Sequence, residues 1–292
     1  AATDDKLDFS ALKGHTVSGA IRIGALQVSK LKLAKLNAKI NLAGGRLDVS
    51  PLTMNLYEGT ARGDLSLNAA GNNLVLKQNL SGININALMK DLANKDLLEG
   101  HGNVMLDINS RGGSVVAMKK ALGGSASLSL KDGAIKGINL AQSLRDLKSK
   151  LGAKQDSTQQ ANAGDKTDFS ELTASLKIAN GVAHNEDLSM KSPFLRLSGA
   201  GDIDIGAGQM NYLAKASVVS TSAGQGGKDL QHLKGLTVPV RVSGSFDKLA
   251  YKIEFGSLVE GMAKAKVEEK KEEIKAKVED KLKDKLKGLF GK

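Results

Sequence analysis

Catalysis or metal binding in this chain would rest on its four His, its Asp and Ser clusters and its Gly-rich stretches. His15, His101, His184 and His232 are scattered, and none has a His, Asp or Glu partner at a recurring metal-ligand spacing. Each reads as a surface or turn residue. Ser243-Gly244-Ser245 reads as a turn, because the Gly-x-Ser-x-Gly frame of a nucleophile elbow is absent. Gly199-Ala200-Gly201 and Gly206-Ala207-Gly208 are too short for a dinucleotide fingerprint, and no βαβ pattern follows them. Asp202 and Asp204 precede no calcium loop closing on a Glu, and read instead as the polar face of a strand. With no Cys, thiolate zinc sites and disulfides are excluded. The chain is therefore read as non-enzymatic, with no cofactor and no metal.

The residue types that do recur at a fixed spacing are aliphatic. Ile21 and Ile23 alternate with Arg22, and Leu36, Ile40 and Leu42 alternate with Asn37, Lys39 and Asn41. The same beat returns at Leu65 and Leu67, at Val104, Leu106 and Ile108, and at Leu128 and Leu130. It continues at Leu195 and Leu197, Ile203 and Ile205, and Val240 and Val242. A period of two places each set on one face of a strand. The chemistry available to such a face is noncovalent: it removes hydrocarbon from water.

These residues need a long sheet to carry them. Strands are expected over about 15–80, 100–109, 125–135, 171–219 and 236–255, punctuated by Gly pairs such as Gly44-Gly45, Gly112-Gly113 and Gly123-Gly124. Helical patches are expected near 85–98 and 115–122. An amphipathic helix is expected through Ile138, Leu140, Leu144, Leu147 and Leu151. Residues 152–167 and 220–230 have no period and read as loops, the first of them mobile. The fold class is thus mainly β: a long antiparallel meander curled into an open groove or partial barrel, with short helices. Residues 257–292 change character to a charged amphipathic helix, with a stripe through Val267, Ile274, Val278, Leu282, Leu286 and Leu289. That helix reads as an element on anionic lipid, as a lid, or as a solvated terminal helix.

Residues 1–256 read as one repeated β-groove domain, with pseudo-repeats at about 8–150 and 168–256. Asp8-Phe9-Ser10-Ala11-Leu12 matches Asp168-Phe169-Ser170-Glu171-Leu172. Gly63-Asp64-Leu65-Ser66-Leu67 matches Gly201-Asp202-Ile203-Asp204-Ile205. Duplication that lengthens a sheet suits an extended surface better than an enzyme pocket.

Net charge is +11, while aromatics make up 3% of the chain and Trp is absent. Nucleic-acid binding interleaves basic residues with stacking aromatics. The basic run from Lys30 to Lys39 contains none, so nucleic acid is not an expected partner. Anionic headgroups or a solvated outer face account for the charge. No run of apolar residues is long enough to cross a bilayer as a helix. The opening Ala1-Ala2-Thr3-Asp4-Asp5 is not a signal peptide, and an anchoring segment is expected upstream.

Several segments, in order, resemble the bacterial AsmA family. They are Leu56-Tyr57-Glu58-Gly59, preceded by Gly45 and Pro51-Leu52, and Thr167-Asp168-Phe169-Ser170, followed by Gly181, Asp187-Leu188, Ser192-Pro193 and Gly199-x-Gly201. Asp132-Gly133-Ala134-Ile135-Lys136-Gly137-Ile138-Asn139-Leu140 and Val238-Pro239-Val240 with Ser243-Gly244-Ser245-Phe246 complete the set. Leu249, where a Pro is usual, departs from the pattern, as does the charged segment after Phe255.

The resemblance implies a periplasmic protein of a Gram-negative cell, tethered to the inner membrane by an upstream helix. It implies likeness to bridge-like lipid-transfer proteins and a role in outer-membrane integrity, with no catalytic residues to carry over. The implied partners are phospholipid acyl chains, and an anionic membrane surface or outer-membrane components. The alternative is a scaffold for outer-membrane protein assembly with no lipid in its core. In the transfer reading the alternating aliphatics line the groove. Each acyl CH₂ withdrawn from water contributes about 0.8 kcal/mol, so a tail of roughly 15 gains on the order of 10 kcal/mol.

Overall fold

The computed structural model describes residues 5–144, 158–219 and 237–254. The alternating segments form fourteen strands in one sheet. These are β1 (Val17–Val28), β2 (Leu31–Ala43), β3 (Arg46–Leu56), β4 (Gly59–Asn68), β5 (Asn73–Asn84), β6 (Leu98–Arg111) and β7 (Gly123–Gly137). There follow β8 (Gln159–Gln160), β9 (Asn162–Ala179), β10 (Val182–Lys191), β11 (Leu195–Asp204), β12 (Gln209–Val218), β13 (Thr237–Ser245) and β14 (Lys248–Ile253). Helix α1 (Ile85–Ala93) joins β5 to β6, and α2 (Val115–Lys120) joins β6 to β7.

Spatial order follows the chain, except that the two-residue β8 lies outside β14. Every neighbouring pair is antiparallel. The two edges, β1 and β8, do not pair with each other, so the meander is not closed into a barrel.

Tight turns keep this order local. Gly44 and Gly45 (φ +58° and +77°) turn β2 into β3, and Asn180 and Gly181 (φ +50° and +79°) turn β9 into β10. Paired positive φ values match the right-handed twist of the flanking strands. Tyr57 and Glu58 turn β3 into β4 with φ of +46° and +71° and no Gly at either place. Side chains hold that turn: the Tyr57 hydroxyl donates to Asp91 Oδ2 of α1 at 2.9 Å, and Glu58 Oε1 accepts from Asn84 Nδ2 at 2.9 Å. Asn84 also caps α1, accepting from the Ala87 N–H at 3.2 Å.

Register aligns the aliphatic residues into rows across the sheet. One row runs through Ile40, Val49, Leu65, Leu76 and Ile108, then past Gly124 to Ile178, Ala183, Ile203 and Met210. Another runs through Leu130, Leu172, Met190, Leu197, Ala216 and Val238. Burial along this face is graded. β1 is almost wholly exposed, β2 to β7 carry mostly half-buried aliphatics, and Val238, Pro239 and Val240 of β13 are buried. Two clusters result: a small one around Ala38, Val49 and Leu52, and a large one from β4 to β14 that also takes in Ile85, Ile138, Leu140 and Leu144.

Some expectations need correction. The helical patch at 85–98 stops at Ala93, because Asn94 adopts the left-handed conformation and its N–H returns to Lys90 O. Leu98 already belongs to β6. Within the loop expected over 152–167, Gln159–Gln160 pair with β14 and β9 begins at Asn162, while residues 152–157 lie outside the described residues. There, backbone pairing of Asn162 with Gly137 and Lys166 with Lys136 supplies the order that the polar composition does not suggest. Of the amphipathic helix, residues 140–144 are helical, while Leu147 and Leu151 lie outside the described residues. So do loop 220–230, His232 and the charged segment 257–292.

Candidate functional site

The apolar face closes around a cavity of about 320 Å³ in the C-terminal half. Its wall is built by Leu128 of β7, Leu172, Ala174 and Leu176 of β9, Leu188 of β10, Leu197 and Ile203 of β11, Met210, Tyr212 and Ala214 of β12, Val240 and Val242 of β13 and Leu249 of β14. Ile138, Leu140 and Met89 of α1 cover it. The polar residues Thr167, Asn185 and Lys136 in the wall are satisfied by the chain itself, Lys136 through Asp96 and Glu99. Thr167 Oγ1 donates to Ile138 O at 2.6 Å and accepts from the Leu140 N–H at 3.0 Å. Asn185 Nδ2 donates to Ser175 O and to Asp187 Oδ1, both at 2.7 Å, and its Oδ1 accepts from the Tyr212 hydroxyl. Burial, with the Asp187 charge, pushes the Tyr212 hydroxyl well above its usual pKa. With these polar atoms engaged internally, the wall offers an occupant contact without directional demands.

Tyr212 also explains the Gly199-x-Gly201 spacing. A Cβ at Gly199 would stand 2.6 Å from Tyr212 Cε1, and one at Gly201 would stand 2.7 Å from Tyr212 Cα. The phenol ring lies where the Gly199 side chain would be, and the β12 backbone at Asn211 and Tyr212 lies where the Gly201 side chain would be.

Of the residues singled out by alternation, Ile23, Leu36, Ile40, Leu42, Leu65, Leu67, Val104, Leu106, Ile108, Leu128, Ile203, Ile205 and Val242 are half-buried. Ile21 is exposed. Leu130 (0% exposed), Leu195 (1%), Leu197 (5%) and Val240 (1%) are packed in the large cluster. The cavity brings together Leu128, Leu197, Ile203, Val240 and Val242; the β1 to β6 members lie outside it, along the shallower part of the face.

Sequence reasoning missed most of the cavity wall. Leu172, Ala174 and Leu176 keep the period-two beat that could have identified them, as do Met210, Tyr212 and Ala214. Ile138, Leu140 and Met89 carry no such signal, because they reach the cavity from outside the strands. Gln78 was also hidden. It occupies an apolar row between Gly63 and Leu106, is buried, and neither its Nε2 nor its Oε1 has a hydrogen-bond partner.

The curl is fastened at a seam. Lys95 pairs with Asp247, the Ala161 N–H donates to Leu249 O at 3.0 Å, and the Tyr251 hydroxyl donates to Gln159 Oε1 at 2.7 Å. Beside these contacts Lys136 Nζ lies 2.9 Å from Asp96 Oδ2 and 3.2 Å from Glu99 Oε1. Hydrogen bonds from Lys136, then Asn86, bring the Asp96 carboxyl down to about 2.

The polar face is solvated and charged, with Lys77 and Asp107 at 3.2 Å as one example. His184, expected on the surface, is exposed there, but two acids hold it. Its Nδ1 is 2.6 Å from Asp202 Oδ1 on β11, its cross-strand partner, and its Nε2 is 3.0 Å from Glu186 Oε1. Among the described residues no group of three or more His, Cys, Asp or Glu could hold a metal ion. Nor is any helix among them long and apolar enough to cross a membrane.

The AsmA family profile matches residues 2–188. The chain belongs to the AsmA family. A curated relative, Protein AsmA of Escherichia coli (strain K12), is 21% identical over 257 residues, which are 87% of this chain and 41% of that protein. The chain thus spans less than half the length of this relative. No solved structure matches it significantly. The side-chain-braced turn at Leu56-Tyr57-Glu58-Gly59 lies within the matched residues.

Proposed function

We propose that this AsmA-family chain carries the hydrocarbon tails of phospholipid along its aliphatic face, between the inner and outer membranes of a Gram-negative cell. Family membership points at the coarser level to outer-membrane assembly or lipid transport in the cell envelope. The observation that carries the finer reading is the row of aliphatic side chains that crosses the sheet, half-buried rather than sealed, and leads to a cavity walled almost entirely by hydrocarbon. Such a wall holds a tail by exclusion from water alone. Successive positions are then nearly equal in energy, and a tail moves between them over low barriers. The chain supplies no chemical step, so direction comes from outside it. In this reading the protein works in the periplasm, tethered upstream to the inner membrane, and supports outer-membrane integrity.

A second reading is a dry scaffold for outer-membrane assembly, favoured by the complete burial of Leu130, Leu195 and Val240. Native mass spectrometry of gently purified protein separates the two. Carriage expects co-purified phospholipid, and photo-crosslinks to lipid from probes at Leu106 and Ile203. Lipid-free spectra without crosslinks leave the scaffold.

A further inference from the structure

We propose that the seam beside the hydrocarbon cavity is a headgroup site for a zwitterionic lipid, one that carries a phosphate and an ammonium. This rests on the lipid-carrier reading above. A second cavity of about 510 Å³ lies at the seam, and it shares Leu97, Lys136, Ile138 and Leu249 with the wall of the apolar one. The two are therefore adjoining chambers, one of hydrocarbon and one polar, as a lipid is. Lys136 serves both. Its aliphatic stem lines the tail chamber while its ammonium meets Asp96 and Glu99.

The charges at the seam select the headgroup class. Its wall carries Lys136 and Lys248 together with Asp96 and Asp247, so the two signs balance. A site for a bare anion would present cations alone; a balanced wall matches a group that itself bears both signs. Among the described residues Lys248 has no ion-pair partner, and it takes the phosphate with Lys136. Asp247, 84% exposed despite its contact with Lys95, takes the ammonium. The tail chamber alone is too small for a complete two-tailed lipid: 320 Å³ holds about ten groups the size of water, at roughly 30 Å³ each. The end of one tail therefore enters, the rest of its roughly 15 carbons lies outside this chamber, and the headgroup remains at the seam.

The test incubates the full chain with vesicles of phosphatidylethanolamine, with vesicles of phosphatidylglycerol, or with palmitate, and counts bound molecules by native mass spectrometry. Phosphatidylethanolamine is expected to occupy the protein about fivefold more than phosphatidylglycerol, the scale of a partly exposed charge contact. Lys248→Glu is expected to erase that preference and leave palmitate binding unchanged. Lys39→Ala, an exposed residue of β2, is expected to preserve both. Lys248 is exposed and has no ion-pair partner among the described residues, so its variant reads out binding rather than folding, which circular dichroism checks. Equal uptake of the two phospholipids, or a Lys248→Glu variant that keeps the preference, overturns the headgroup site while carriage stands. Palmitate uptake without either phospholipid overturns it as well. Loss of all three ligands overturns carriage too.

Discussion

Gln78 is a polar side chain in an aliphatic row, buried with neither amide atom paired. An unsatisfied buried amide carries its desolvation penalty without recompense, about 1–3 kcal/mol. Gln78→Met keeps the length and removes the penalty, so it is expected to raise stability by about 1 kcal/mol, read as a higher urea midpoint with unchanged slope. Position 78 falls on the period-two beat of Leu74, Leu76 and Leu80, which turns it inward; its polar residue type hides that in the sequence, and the register with Gly63 and Leu106 makes it plain. His184 is the converse case: its partner Glu186 is close in sequence, but Asp202 reaches it across strands. Asp202 first, then Glu186, raises the His184 pKa above 6.5. A raised folded-state value stabilises fully below the unfolded pKa, and the contribution is lost as pH climbs through the folded one. Imidazole NMR shifts should therefore titrate with a midpoint above that of a free His, and Asp202→Asn should bring the midpoint down.

Elements are more legible than residues, because a hairpin's alternation and its turn chemistry agree. The turn at Gly44-Gly45 and the strands flanking it follow from sequence alone. Where side chains at a distance fix the shape, the sequence is silent: Tyr57-Glu58 holds positive φ through Asp91 and Asn84, which lie in and beside a helix many residues away. Gly45 followed seven residues on by Leu52-Thr53-Met54 matches Gly181 followed by Leu188-Ser189-Met190, and the two stretches share a register shift, between Val49 and Leu52 in β3 and between Asn185 and Leu188 in β10. In β10 this shift sets Asn185 against Tyr212, which rests on Gly199. Gly199→Ala is expected to cost about 1–3 kcal/mol, since its methyl meets Tyr212 at 2.6 Å and Leu188 at 3.1 Å, and the displaced phenol loses Asn185. Gly113→Ala is the control, with nothing within 4 Å of the added carbon and an expected change under about 0.5 kcal/mol. Thermal melts of the two variants check the contrast.

At the scale of the whole molecule, the meander's apolar face is broader than the short helices among the described residues cover, and curling removes part of that face from water. The alternation made that face visible, but not where it closes, because closure depends on contacts such as Lys95 with Asp247 and on Ile138 and Leu140 entering from the side. Acid should loosen the seam. The Asp96 carboxyl titrates at about 2 in the folded protein, below its ordinary 3.8. A depressed carboxylate stabilises above the unfolded value and loses that contribution as pH falls through the folded one. Between pH 3.8 and 2 the Ala161 amide, bonded to Leu249, is expected to lose hydrogen-exchange protection relative to the β2–β3 amides. Asp96→Asn should remove this pH dependence.

The transfer path itself is tested by two neighbours on β6. Leu106 is half-buried on the aliphatic face, paired with Gln78 and Ala126, while Met105, 58% exposed, points to the opposite side of the same strand. A carboxylate at Leu106 would stand on the path of any tail that moves from the shallow strands toward the cavity. Every methylene it keeps in water forfeits about 0.8 kcal/mol, so two or more slow passage roughly tenfold. Leu106→Asp is therefore expected to reduce lipid exchange between two vesicle populations by about that factor, and Met105→Asp to leave it unchanged. Both sites have water within reach, so each variant is expected to fold; a Leu130→Asp change would not discriminate, because Leu130 is fully enclosed and a charge there would disrupt packing. Equal exchange by the two folded variants would mean that tails do not travel along this face.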